Sequence, residues 1–259
     1  MTKPLYRLAV DVLLAPNVQV RVRDNAAHYV SAVLRLGVGD SLVLFTRGQG
    51  EWLAAITEIR KKEVVLVVGV CTRPPATPLG LTVCFAPIKG GRLETIIEMA
   101  TQLGASVLQP VITARTIVNK MNLVRAEAIA REAAEQCERI DWPEIREPVK
   151  LLKLLGKWPA HMPLIYGDES GGSASVVKLA GSSPLSGREQ SAWAILAGPE
   201  GGFAPDEFAA LAKVKSAVGV GLGPRILRAD TAVVTLCVAT LMAWGDWNER
   251  PRFVAEGEK

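Results

Sequence analysis

Histidine and cysteine are scarce in this chain. His28 and His161 are the only histidines, and Cys71, Cys84, Cys137 and Cys237 are scattered with no C-x-x-C pair. A zinc site is therefore poorly supported, and the cysteines read as small buried side chains. Long apolar runs are missing as well. The longest, near Thr231–Trp244, carries three threonines and is too short to span a bilayer. The opening MTKPLYRLAVDVLLAP has no convincing small-residue cleavage site and reads as an edge strand. The expectation is a cytoplasmic protein with no membrane and no metal. With 49% hydrophobic and 22% charged residues among 259, disorder and collagen-like structure are excluded.

Charge is distributed unevenly. Residues 1–75 hold ten Lys/Arg and six Asp/Glu, a balance of +4, and the remaining residues hold twenty of each. A basic module beside a neutral one suits contact with a polyanion, although a solvated basic face would look the same.

A boundary lies in CTRPPATPLG, Cys71–Gly80, with three prolines and a glycine. Before it, Leu5–Val10, Ser41–Phe45, Trp52–Ile59 and Val64–Val70 read as short strands. One helix interrupts them, with Asp24 as N-cap, Ala26–Arg35 as body and Gly37 as stop. This pattern predicts a compact β-barrel. After the boundary, strands and helices alternate. Strands are expected at Leu81–Ala86, Val107–Ile112, Pro163–Tyr166, Ala192–Ala197 and Ala217–Gly221. Helices are expected at Arg92–Leu103, Leu123–Ile140, Pro205–Lys213 and Thr231–Trp244. On Leu123–Ile140, Glu127/Arg131 and Glu135/Arg139 stand at i, i+4. Between Tyr166 and Ala192 lies a Gly/Ser-rich loop with a short helix. The alternation implies an α/β fold with a mostly parallel sheet, covered on both faces.

Ligands of such sheets bind at the carboxyl ends of the strands. Three Gly-rich segments leave strands there: Tyr166–Gly172, Gly198–Gly202 and Gly221–Asp230. Gly198–Gly202 has neither a P-loop nor a dinucleotide spacing. Glu200, Asp206 and Glu207 crowd the next helix start and would repel a phosphate. A ligand with adenine, ribose and a positive centre fits better than a polyphosphate, while a bare strand-to-helix turn stays open. Asp230 is either an N-cap or a functional acid. Arg225 and Arg228 either satisfy carbonyls, pair with Glu200 or Asp230, or hold a nucleic-acid phosphate or base carbonyl.

LAGPEGGFAPDE (Leu196–Glu207) with GLGPRILRADTA (Gly221–Ala232) resembles the paired signature of the small-subunit ribosomal RNA uracil-N3 methyltransferase family of the SPOUT superfamily. HYVSAVLRLGVGD (His28–Asp40), KGGRLETIIEMATQLGASVLQPVITART (Lys89–Thr116) and EAAEQCER (Glu132–Arg139) with Pro143–Glu144 agree in order. The resemblance covers roughly Tyr6 to Trp247. It implies a PUA-like, RNA-binding barrel over 1–75, a SPOUT methyltransferase domain with a C-terminal trefoil knot over 76–249, and a tail at 250–259. It also implies a homodimer that methylates N3 of a uridine in 16S rRNA or the small ribosomal subunit with S-adenosylmethionine.

Leu196, Gly198, Gly201, Leu222, Gly223, Ile226, Leu227 and Arg228 match the cofactor motifs residue by residue. Tyr166, Gly167, Ala197, Pro199, Glu200, Gly202, Thr231 and Ala232 complete the expected cofactor site. His28, Arg35, Lys89, Arg92 and Arg225 are the expected RNA contacts, with a partly buried structural histidine as the other reading of His28. Asp230 stands where the family usually has Glu, and Met99 and Gln102 stand where many members have Lys and Glu.

Methylation at N3 requires loss of the N3 proton and stabilisation of charge on the uracil oxygens. Arg228 or Arg225 suits the second task, and Arg228 is the expected catalytic cation. Asp230 or Glu200 is the candidate base, with water as a further option. Rival functions are a non-catalytic RNA-binding assembly factor, a SPOUT enzyme acting on another RNA, and a nucleotide-dependent enzyme of another class.

Overall fold

The computed structural model describes residues 6–179 and 192–249. Leu5, the end of the Gly/Ser-rich stretch and the 250–259 tail lie outside them. The chain divides into two compact units, Met1–Pro78 with Ala130–Trp142, and Leu79–Ile129 with Pro143–Lys259.

The first unit contains β1 (Arg7–Ala9), β2 (Gln19–Arg23), α1 (Asp24–His28), β3 (Ser41–Thr46), β4 (Gly50–Arg60) and β5 (Glu63–Arg73). The sheet runs β1-β3-β4-β5-β2, with β1 parallel to β3 and the other pairs antiparallel. Register shifts near Trp52 and Ile56 break the β4–β5 ladder, as bulges do when long strands curl. The curl encloses Leu42, Leu44, Ile56, Leu66 and Val68, all at most 1% exposed. β2 was not anticipated, although its alternation is clean: Val20 and Val22 are buried while Gln19, Arg21 and Arg23 face out.

The expected cap at Asp24 is corrected. Arg23, the last residue of β2, has the extended backbone that an N-cap requires, and it makes no side-chain cap bond. Asp24 is already the first helical residue, with φ of 50°. The helix then loosens into a π segment, Tyr29–Val33, where the Leu34 N–H donates to the Tyr29 carbonyl.

A buried carboxylate organises the rest of this unit. Glu51, 1% exposed, pairs with Arg7 and Arg73 and accepts a 2.9 Å bond from the Thr72 hydroxyl. The Arg7 guanidinium also lies 4.7 Å from the Phe45 ring centroid and donates to the Arg139 carbonyl at 2.5 Å. With this many partners, the cost of desolvating the charge is largely offset. Trp142 is gripped in the same way: Arg47 and Arg131 lie 4.6 and 4.5 Å from its ring centroid.

The second unit contains β6 (Leu81–Phe85), α2 (Gly91–Gln102), β7 (Val107–Ile112), α3 (Leu123–Gln136, whose second half belongs to the first unit), β8 (Glu144–Ile145), β9 (Val149–Lys150) and α4 (Leu151–Leu155). It continues with β10 (Leu164–Gly167), a 3-10 turn at Val176–Leu179, β11 (Trp193–Ala197), α5 (Pro205–Lys213), β12 (Ala217–Val220) and α6 (Ala229–Trp244). The order is β12-β10-β11-β6-β7-β8, with β9 also beside β7, and every pair is parallel.

Both faces of this sheet are covered, which explains why its strands read as continuous apolar runs. Cys84, Leu164, Ala194 and Leu196 cluster with Leu151, Leu155 and Leu211 from α4 and α5. The alternate face carries Trp193, whose ring meets Trp244 of α6 edge-on at 6.3 Å. The short α4 was not anticipated. Helix α3 stops at Gln136, so Arg139 lies beyond it and pairs with Asp141 at 2.9 Å rather than completing a helical pair. Among the described residues no helix is long and apolar enough to cross a membrane.

Within the first unit, Glu135 accepts the Ala9 N–H at 2.8 Å. Burial pushes its carboxyl up to about 7; the Ala9 bond, Arg7 and Arg131 pull it down, while Glu132 adds to the rise. The folded state therefore holds this proton above the ordinary carboxylate range, and the unfolded chain does not. The stability this group contributes is fully present below about pH 4.5 and is lost as pH rises to about 7. Glu135→Gln keeps an acceptor for Ala9 and removes the titration. Urea denaturation at pH 5 and pH 8 should show a smaller pH slope for the variant. The difference should be about 1–3 kcal/mol in favour of the variant at pH 8, and parallel slopes would contradict this account.

Candidate functional site

β10 lies between β11 and β12, and all three run the same way. Tyr166 is level with Leu196 on one side and Gly219 on the other, so the three strands end together. Their loops must leave from one edge. The first loop is tied to the third by the Asp168 N–H, which donates to the Val220 carbonyl at 2.9 Å, and by a parallel bridge between Ser175 and Gly221.

The loops enclose a cavity of about 250 Å³. Of the residues assigned to a cofactor, Gly167, Ala197, Gly198, Pro199, Glu200, Gly202, Leu222, Gly223, Ile226, Leu227 and Ala232 form its wall. Tyr166 is a strand residue whose ring packs edge-on against Phe203, and Leu196 is buried in the core. Gly201 faces a second cavity instead. Arg228 and Thr231 are exposed and wall neither cavity. Arg225, expected as an RNA contact, stands in the wall of the first cavity.

Backbone shape depends on two glycines here. Gly202 has φ of +68°, and a Cβ at that position would run into the Glu169 carboxylate. At Gly198 a Cβ would sit 3.1 Å from the Phe203 ring.

The acids divide their work in a way the sequence did not reveal. Glu207 is 2% exposed, and its two oxygens accept the Ala204 and Ala114 N–H groups, each at 2.8 Å. It closes the start of α5 and anchors the loop after β7. Asp206 is exposed and walls neither cavity. Glu200 pairs with Arg92 at 3.3 Å, rather than with Arg225 or Arg228. The cavity's other acids come from the loop after β10: Asp168 and Glu169, which were missed although they follow the strand directly.

Asp168 accepts the Ser170 N–H at 2.9 Å and the Ser173 hydroxyl at 2.5 Å. Burial pushes its pKa up, but the Ser170 and Ser173 bonds outweigh that and hold it below the ordinary value. Glu169 accepts the Phe203 N–H at 3.2 Å, joining the first and second loops.

Asp230 is not the cap of α6. Arg228 holds that position, and Asp230 sits in the first turn with its carboxylate on the Thr231 N–H at 3.0 Å. It walls neither cavity. His28 is exposed at the end of α1, so a partly buried structural role is excluded, and Arg35 is exposed with φ of 55°. Lys89 and Arg92 lie at the start of α2, in the wall of the second cavity. Among the described residues no cluster of His, Cys, Asp or Glu could hold a metal ion.

Comparison with known proteins places these features in a family. An RNA methyltransferase domain family matches residues 75–241, and an RNA methyltransferase PUA domain matches residues 22–69. A Rickettsia conorii protein named ribosomal RNA small subunit methyltransferase E is 35% identical over 230 residues, 88% of this chain and 92% of that one. Its Synechocystis namesake is 34% identical over 235 residues, 88% and 74% of the two chains. The Neisseria gonorrhoeae enzyme of that name, solved bound to S-adenosyl methionine, has a TM-score of 0.80 at 25% identity, covering 94% of this chain and 100% of that one. A Legionella pneumophila structure with bound SAM gives 0.81 at 27%, covering 93% and 98%.

Glu207→Ala leaves two backbone N–H groups without their acceptor and should cost about 2 kcal/mol. Glu207→Gln, with one acceptor oxygen, should cost about half as much. Chemical denaturation checks both, and an Ala variant as stable as the parent would show that the carboxylate does not anchor these loops.

Proposed function

The chain belongs to the ribosomal RNA small subunit methyltransferase E family, and from that premise we propose that it transfers a methyl group to N3 of a uridine in 16S rRNA, as a cytoplasmic homodimer with a trefoil knot in its second unit. It is an S-adenosylmethionine-dependent methyltransferase of small-subunit ribosomal RNA.

The observation that carries this reading is the cavity where the loops after β10, β11 and β12 meet. Its residues fit S-adenosylmethionine. Gly198, Gly202 and Gly223 present bare backbone, and Leu222, Ile226 and Leu227 offer apolar surface to an adenine ring. Asp168 and Glu169 offer carboxylates to ribose hydroxyls and to positive charge. When bound, the cofactor supplies an electrophilic methyl group on a cationic sulfur. A triphosphate would meet these acids unfavourably.

Residues 76–249 hold the transfer chemistry in this reading, and 1–75 contact RNA through their excess of basic groups, with His28 and Arg35 exposed for that role. The tail 250–259 has no assigned part. Lys89, Arg92 and Arg225 supply positive charge around the transfer site. Arg225 stands in the wall of the cofactor cavity, and Arg228 walls neither cavity. Asp230 acts on its own helix turn. Because N3 lies on the Watson–Crick edge, the target base must be unpaired or drawn out of its stack.

Nucleoside mass spectrometry of 16S rRNA from cells lacking the protein tests the proposal. 3-Methyluridine should be absent and should return with the wild-type copy; its undiminished presence would refute the assignment. For the cavity, Gly202→Ala should weaken S-adenosylmethionine at least about tenfold, or about 1.4 kcal/mol. Calorimetric binding within twofold of the parent would contradict that placement.

A further inference from the structure

A second cavity of about 420 Å³ lies on the other side of the Gly198–Gly202 loop. It shares Pro199 and Glu200 with the cofactor cavity, and Lys89, Arg92 and Arg115 bring three cations to its wall. Resting on the methyltransferase reading above, we propose that this second cavity receives the target uridine nucleotide and that Glu200, at the shared wall, accepts the uracil N3 proton.

A nucleophile must sit within near-attack distance of the methyl carbon, so its pocket must adjoin the cofactor's. This cavity does so, and its volume lies in the range of small-molecule sites. Its charges suit a nucleotide: a phosphate and two imide oxygens are met by two arginines and a lysine. Arg115 is held in place by a 2.5 Å bond to the Gly201 carbonyl, which leaves further guanidinium N–H groups for a ligand.

Glu200 is the carboxylate common to both walls. Asp230 walls neither, and Glu207 is occupied by two backbone N–H groups. Arg92 pairs with Glu200 at 3.3 Å and can shift to a uracil oxygen as charge develops. The step balances. The N3–H proton passes to the Glu200 carboxylate, the nitrogen pair forms the N–C bond, and the pair of the broken C–S bond stays on sulfur. The charged groups around Glu200 are Lys89, Arg92 and Arg115 on its own side and Asp168, Glu169 and Arg225 across the shared wall.

The test uses the full chain, saturating S-adenosylmethionine and a transcript of the small-subunit rRNA region that the wild type methylates. Single-turnover methylation by Glu200→Gln should fall about 10²-fold or more at pH 7. Its rate should then climb about tenfold per pH unit toward pH 9, because the uracil ionises without help, while the wild-type rate stays within about threefold. Glu200→Asp should recover at least about tenfold over Gln. Thermal denaturation midpoints of both variants should match the wild type within about 2 °C, so a misfolded loop is detected separately. Lys89→Ala should weaken RNA binding, read by fluorescence anisotropy, at least about tenfold without changing cofactor affinity.

A Gln variant within threefold of wild type at pH 7 overturns the proposal. So does a slowed variant with a level pH profile, or a Lys89→Ala variant with unchanged RNA affinity. If the wild type produces a methylated nucleoside other than 3-methyluridine, the activity itself is misassigned and this proposal falls with it.

Discussion

The common direction of β10, β11 and β12 is the constraint on which the site depends. Parallel neighbours that end level must release their loops at one edge, whatever the intervening sequence. The chain lays down β6 first, builds outward through β7 and β8, then places β10 on the other side, inserts β11 between β10 and β6, and adds β12 beyond β10. That reversal places the glycine loops together without any one of them specifying the cavity. The covering helices set the cost of changing this arrangement. β6 and β11 are buried along their whole length, so a register slip there would expose apolar side chains and open voids on two sides at once.

Once the loops are brought together, carboxylates tie them. Glu169 joins the first loop to the second, Asp168 rigidifies the first, and Glu207 fastens the start of α5 to the loop after β7. Each bond places a carboxyl oxygen on a backbone or hydroxyl donor. The acids thus shape the backbone and also set the sign of the cavity. This dual use explains how a glycine-rich edge can keep a defined form: glycine permits the turns, and the carboxylates remove the alternatives.

The legible part of the sequence was local. Val107–Ile112 and Pro205–Lys213 match the observed β7 and α5 bounds, because period and punctuation agree there. The three loops were visible as glycines following apolar runs. What stayed hidden was where side chains go over long distances. Glu135, read as one half of a helical ion pair, accepts a bond from Ala9, 126 residues away. Glu207, read as a free charge at a helix start, is buried on two backbone groups. Asp168 and Glu169 were passed over because nothing local separates a cavity acid from a solvated turn. β2 was legible in principle, since QVRVR alternates, but five residues between turns carry little weight.

The departures from the family pattern can be judged by the same geometry. Asp230 stands where the resemblance implies Glu, and its carboxylate serves the adjacent N–H in the first turn of α6 and walls neither cavity. A shorter acid performs that task as well as a longer one, and negative charge at a helix start is favourable in either case. Gln102, where the resemblance implies Glu, donates its amide to Glu98 one turn back at 3.2 Å, so it stabilises its own helix. Met99 is half-buried on the same helix, where a thioether packs more readily than an ammonium group. All three residues lie on helices, Met99 and Gln102 on α2 and Asp230 on α6. The loops keep their glycines, and Glu200 keeps its place between the two cavities.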